Sequence, residues 1–274
     1  DFLFAGYKEL QPLELILDTH PLRSAEEVFT SELYATLLLA FYLGAFGKRS
    51  RRGGGAFAIT EMQPTFDLPD DFTNVLKALQ NESPQQALKQ CVDYVERNIP
   101  YTVPQTSIPQ YPIFDRSNCV VLVGSQPSTR GYFDALNDLW QKSKDFHHIK
   151  TQRKMFNKKT KKLGQRDLDR WWAWGVAGLH LHPTDSERYN HRDWKPDERS
   201  EKLYDNDGRR ASAVHLRVHH YDGQYYPLVT IFRALPDYDN EHLGEPESWK
   251  LLAKFINELV AAGYQHVFGD WSKW

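Results

Sequence analysis

In LELILDT, Leu13, Leu15 and Leu17 alternate with other residues, and this period of two predicts a half-buried strand. Ser24 and Glu27 then have the spacing of a capping box. The run behind them, VFTSELYATLLLAFYL, is rich in Leu and Ala and free of Gly and Pro until Gly44. It predicts a mostly buried helix ending near Leu43. AFAIT, at 56–60, predicts a short strand. Further on, Ser83-Pro84-Gln85-Gln86 places a cap, a first-turn proline and a capping-box glutamine in order, so a helix is expected from there to about Asn98. The proline-rich YTVPQTSIPQYPIF breaks periodic structure and predicts a domain boundary.

A legible order of elements follows that boundary. CVVLVG, from Cys119 to Gly124, is an apolar run of strand length, and YFDALNDLWQKSKDF is amphipathic at helical spacing. ASAVHLRVHHY and QYYPLVTIF flank Asp222-Gly223, a two-residue hairpin signal. Pro246 opens ESWKLLAKFINELVAAG, which Gly263 is expected to terminate before a last strand, YQHVFG. Strand, helix, two strands, helix, strand is the ferredoxin-like βαββαβ pattern, so residues 113–274 are expected to form one α+β domain with two helices on one face of its sheet. The same fold underlies RNA-recognition modules, although a fold does not by itself assign a function. An insertion at about 147–205 separates the first helix from the hairpin, and loops of that length are functional or disordered.

Composition narrows the classes. With 41% hydrophobic and 26% charged residues in 274, the chain is expected to fold into one or two globular domains rather than remain disordered. The formal net charge is only −2, so affinity for a polyanion must come from local clusters. Cys91 and Cys119 are the only cysteines, which predicts a reducing, cytoplasmic setting without a disulfide framework. No apolar run reaches the roughly 20 residues that a membrane span needs, and no membrane association is expected. The chain opens at Asp1 rather than at a methionine, so an upstream segment is expected to have been removed or left out.

Two clusters concentrate the positive charge. Phe46 to Phe57, FGKRSRRGGGAF, holds four cations and four glycines in twelve residues. It follows a predicted helix and lacks the GxxxxGK[ST] spacing, which argues against a nucleotide-hydrolysing phosphate loop. Glycines let consecutive backbone amides approach an anion, and arginine forks beside them hold phosphate oxygens in bidentate pairs. A phosphodiester backbone is therefore the expected ligand of Gly47, Lys48, Arg49, Ser50, Arg51, Arg52, Gly53, Gly54 and Gly55. The rival reading is a solvated basic turn. The second cluster, 150–166, carries eight Lys or Arg and no acid, with Lys158, Lys159, Lys161 and Lys162 at its centre.

GAFGKRSRRGGGAF resembles the glycine-rich loop of the RAMP superfamily, the RNA-binding subunits of CRISPR effector complexes, and most of all that of the first subunit of the type III-B (Cmr) complex. FDRSNCVVLVG with YFDALNDLW is similar to the opening of that family's C-terminal domain. The run from Arg209 and Arg210 to Val229, RRASAVHLRVHHYDGQYYPLV, resembles its later RRxS segment and hairpin. The resemblance implies a tandem architecture. Residues 1–62 would be part of a first, incomplete ferredoxin-like domain carrying the glycine-rich loop 44–55, 63–112 a helical connector, and 113–274 the second domain. It also implies a subunit without a cofactor that binds guide RNA, target RNA or both beside other RAMP subunits, with Arg209 and Arg210 in the RNA-binding set and cleavage left to other subunits. Ala45 departs from the family loop, which commonly has a second glycine there.

Other side chains offer rival chemistry. His20, in LDTHP, has the titration range of a general base for metal-independent RNA cleavage, the alternative function within the same superfamily. No partner for it is visible in the sequence, and a packing or surface histidine is the simpler reading. His180, His182 and His191 could suggest a metal, but no CxxC or HExxH accompanies them, and no metal site is assigned. Trp171, Trp172 and Trp174 could stack bases, against a plainer role in a core or subunit interface.

Overall fold

The computed structural model of the chain describes residues 30–44, 59, 62, 67–99, 113–128, 131–132, 134–136, 138–139, 214–233 and 246–274, except the side chains at 246–249 and 251. Four strands, β1 (Cys119–Gly124), β2 (Val214–Tyr221), β3 (Gln224–Phe232) and β4 (Tyr264–Phe268), form one antiparallel sheet in the order β2-β3-β1-β4. The β2–β3 hairpin turns where the sequence predicts, with Tyr221 opposite Gln224. Asp222 and Gly223 both have positive φ, 47° and 67°, as a type I′ turn requires of its two central residues.

Side chains alternate along these strands between two cores. Val120, Leu122, Leu216, Val218, Val229 and Ile231 meet helix α4 (Pro246–Ala261) through Leu252, Phe255, Ile256 and Leu259, together with Ala135, Leu136 and Leu139 from the helical residues within 132–139. These are the two helices expected on one face. Cys119, Val121, Val123, Leu228 and Phe268 project the other way into a second core. That core is built with α1 (Ser31–Leu38), α2 (Asp70–Asn81) and α3 (Pro84–Asn98), through residues such as Tyr34, Leu38, Phe72, Leu88, Val92 and Val95. Each such fully buried side chain contributes about 1.5–3 kcal/mol relative to an exposed one. The stretch read as a connector therefore supplies part of a hydrophobic core. Cys91 and Cys119 are free thiols in it, and burial pushes the Cys91 thiol up to about 12.

Local chemistry explains the element ends. Helix α1 begins at Ser31, after Thr30 in an extended conformation, φ −91° and ψ 166°; the capping box expected at Ser24 lies outside the described residues. Its last turn, Leu39–Leu43, widens to a π-helix and closes with Gly44 N–H donating to the Leu39 carbonyl at 2.6 Å. Helix α3 starts at the predicted Pro84, but the Ser83 hydroxyl donates to Gln86 Oε1 at 2.7 Å instead of accepting a backbone N–H. Helix α2 escapes the punctuation-based reading. Asp70 and Asp71 favour its N-terminus by charge, and Phe72, Val75 and Leu79 recur at helical spacing on its buried side.

The DRSN segment before β1 is a corner. Asp115 Oδ1 accepts from the Ser117 and Asn118 amides at 2.7 and 3.0 Å, while Asp115 Oδ2 accepts from Asn118 Nδ2 at 2.9 Å. Trp274 Nε1 donates to the Ser117 carbonyl, and Phe114 stacks on Phe268 at 4.6 Å, which tie the corner to the end of the chain.

Candidate functional site

The glycine-rich loop is tied to the fold at both of its ends. On the entry side Gly44 closes the π-turn with its N–H and accepts Arg217 Nη1 at its carbonyl, 2.8 Å away. On the return side the Tyr42 hydroxyl accepts the Ile59 N–H at 3.1 Å and donates to the Ile59 carbonyl at 3.3 Å. Ile59 belongs to the segment read as a short strand, yet it lies in no strand and its backbone serves this pairing instead. The two anchors share one core. The Arg217 guanidinium carbon lies 5.8 Å from the centre of the Tyr42 ring, and the His219 ring lies 6.4 Å from it on the other side of one β2 residue.

Arg217 and His219 lie on β2, an edge strand, beside Tyr42, and both are buried. Burial first, and neighbouring charge second, explains their electrostatics. Loss of water lowers the Arg217 guanidinium to about 10, against the opposing influence of Tyr42, Tyr132 and Cys91. Burial, then Arg217 and then His220, lower the His219 imidazole to about 4, so it is neutral at pH 7. Burial also raises the Tyr42 phenol to about 12 and keeps its proton available to donate. The arrangement is a fixed set of donors and acceptors that grips main chain.

The residues between these anchors lie outside the described ones: Gly47, Lys48, Arg49, Ser50, Arg51, Arg52, Gly53, Gly54 and Gly55. So do Lys158, Lys159, Lys161, Lys162, Arg209, Arg210, His20, His180, His182, His191, Trp171, Trp172 and Trp174. Among the described residues, no group of three or more His, Cys, Asp or Glu could hold a metal ion, and no helix is long and apolar enough to cross a membrane. Tyr42, Ile59 and Arg217 were not legible as a set. Tyr42 sits in an apolar helical run, and Arg217 reads as one polar position in an alternating strand.

Fold and anchors together define an α+β protein in which a helical layer and a sheet edge jointly secure the ends of a basic glycine-rich segment. No protein-family model matches the chain, and no curated protein matches its sequence. Among solved structures it is similar to the apo form of Cmr1 from Pyrococcus furiosus, with 16% identity and a TM-score of 0.44 over 90% of this chain. The match spans 61% of the Cmr1 chain.

Proposed function

We propose that this chain is a non-catalytic RNA-binding subunit of a CRISPR type III, Cmr-like ribonucleoprotein effector. It contacts guide RNA, target RNA or both through the basic glycine-rich loop, beside other RAMP subunits in the cytoplasm. The observation that carries this reading is the two-ended anchoring of the loop at Gly44 and Ile59. Contacts of a buried guanidinium and a tyrosine hydroxyl at its base restrain the ends of the loop, which lowers the ordering cost of meeting a polymer. The sequence resemblance of GKRSRRGGG to RAMP loops supports the same ligand. We read residues 113–274 as the second, ferredoxin-like domain of a tandem pair. The strand order β2-β3-β1-β4, with helical residues after β1 and α4 after β3, supports that reading.

Salt tests it. If the loop cations meet phosphates, binding of a single-stranded RNA weakens as salt rises, with a logarithmic slope of about −0.7 per neutralised phosphate. Replacing Arg51 and Arg52 together by alanine is expected to flatten that slope by roughly one to one and a half units. An unchanged slope in a folded double variant would reassign these arginines to an acidic protein partner.

A further inference from the structure

The turn end of the β2–β3 hairpin carries rings on both faces of the sheet, and the two sets differ in what their polar tips do. On the α1–α3 face Tyr221 and Tyr226 have ring centres 6.4 Å apart, and both hydroxyls are tied. Tyr221 donates to the Asn81 carbonyl at 3.3 Å and Tyr226 to Gln224 Oε1 at 3.1 Å. On the α4 face His220 stands opposite Tyr225, with ring centres 4.9 Å apart. His220 is exposed and Tyr225 half-buried, and neither the imidazole nor that hydroxyl has a hydrogen-bond partner among the described residues.

The support under this second pair is specific. Tyr225 exchanges both backbone hydrogen bonds with Ser128, at 2.8 and 3.2 Å, in a bridge outside the four strands. Its ring meets Tyr132 edge to face, with centres 6.4 Å apart and planes at 89°, and both rings pack at the margin of the α4 core. Tyr225 is thus held in place before any ligand arrives, and a ring fixed in advance loses little freedom on binding. Charge then selects the part of a polymer that fits. Residues 125–128, 131–132 and 220–226 include Asp222 and no Lys or Arg. A phosphate gains nothing there, whereas a nucleobase needs a π-face to lie against.

We infer that His220 and Tyr225 form a stacking site for a nucleobase of single-stranded RNA at the turn end of the sheet. The inference rests on the RNA-binding reading above and uses residues other than those of the basic loop. The loop cations suit phosphate, and this pair suits a base of the same strand. Every base has a π-face, so the site holds a strand without reading it.

The experiment compares the full chain with His220→Leu, Tyr225→Leu, Tyr225→Phe and, as a control on the other face, Tyr221→Leu. The probe is a short single-stranded RNA of mixed sequence with 2-aminopurine placed at each position in turn, whose fluorescence is quenched where that base stacks. Affinity is measured across a salt series, with a melting curve for each variant. The wild type is expected to quench the probe. His220→Leu and Tyr225→Leu are each expected to relieve that quenching and to raise Kd at least about fivefold. The salt slope is expected to stay that of the wild type, because no phosphate contact is lost. Tyr225→Phe keeps the ring and is expected to keep the quenching. Tyr221→Leu takes a ring from the same hairpin and is expected to leave quenching and affinity unchanged. An equal loss in Tyr221→Leu would assign the effect to hairpin stability and overturn the site. So would quenching that survives in both His220→Leu and Tyr225→Leu, or a flattened salt slope in either. A wild-type chain that fails to bind the RNA would overturn both the RNA reading and this site. Salt-dependent binding that responds to the Arg51 and Arg52 changes but not to His220→Leu or Tyr225→Leu would overturn the stacking site alone.

Discussion

Gly269 passes so close to Cys119 that a β-carbon on it would lie 1.8 Å from the Cys119 carbonyl oxygen and 2.8 Å from its carbonyl carbon. Its φ of 93° is also one that side-chain-bearing residues rarely adopt. Both constraints fall where the chain leaves β4 and crosses the start of β1. Gly223 shares the positive φ, at 67°, but nothing lies within 4 Å of where its β-carbon would sit. The two positions separate steric from conformational cost. Gly223→Ala is expected to cost about 1–2 kcal/mol, the ordinary penalty of the left-handed region. Gly269→Ala adds a backbone collision that only a shift of β1 relieves, and a loss of at least about 4 kcal/mol is expected. Urea unfolding of the two variants checks this, and equal midpoints would refute the collision.

His219 sets a pH dependence. Its folded-state value, lowered to about 4 chiefly by burial, lies below the roughly 6.5 of an exposed imidazole. The unfolded chain therefore binds the proton first. Stability present above about pH 6.5 is lost as pH falls toward 4, to a total on the order of 3 kcal/mol. Its Nε2 has no hydrogen-bond partner among the described residues, so His219→Leu removes the titration without stranding a donor. Between about pH 6.5 and 5, where exposed carboxylates remain largely ionised, the wild type is expected to lose stability faster than the variant. Parallel urea midpoints over that window would contradict the assignment.

The two cores share one sheet, and neighbouring β1 residues feed opposite ones. Val121 packs toward α1–α3 and Leu122 toward α4. Val121→Ala is expected to cost about 1–2 kcal/mol and Leu122→Ala about 2–5 kcal/mol. In both variants, tryptophan fluorescence and far-ultraviolet circular dichroism are expected to report a single common transition, because neither layer can lose its packing without exposing the sheet. Separate transitions would make the layers independent folding units.

Punctuation made much of this fold legible in the sequence. Asp222-Gly223, Pro246 and Gly263 fix the hairpin and α4 because turn and cap geometry depends on a residue or two. Helix α2 carried the right periodicity, but its N-cap is Pro69 rather than a Ser, Thr, Asp or Asn, so no capping signature announced it. The π-turn was invisible, since nothing in LAFYL distinguishes it from a continuing α-helix. Arg217 and His219 read as polar positions of a half-buried strand. Tertiary packing buries them, with Tyr42 and Gly44 against β2, and that depends on contacts between segments more than 170 residues apart. For the site, the cations and glycines of the loop were plain in the sequence, but the groups that hold its ends were not.

The layers on both sides of the sheet carry a last consequence. A four-stranded sheet that recognises single-stranded RNA in the manner of RNA-recognition modules needs an open face, on which rings lie ready for nucleobases to stack. Here α4 occupies one face and α1–α3 the other. What the sheet can offer a polymer is its rim: the outer edges of β2 and β4, the turns, and the segments that join them. A rim meets sugar and phosphate before it meets base planes, so a strand gripped there would be held whatever letters it spells.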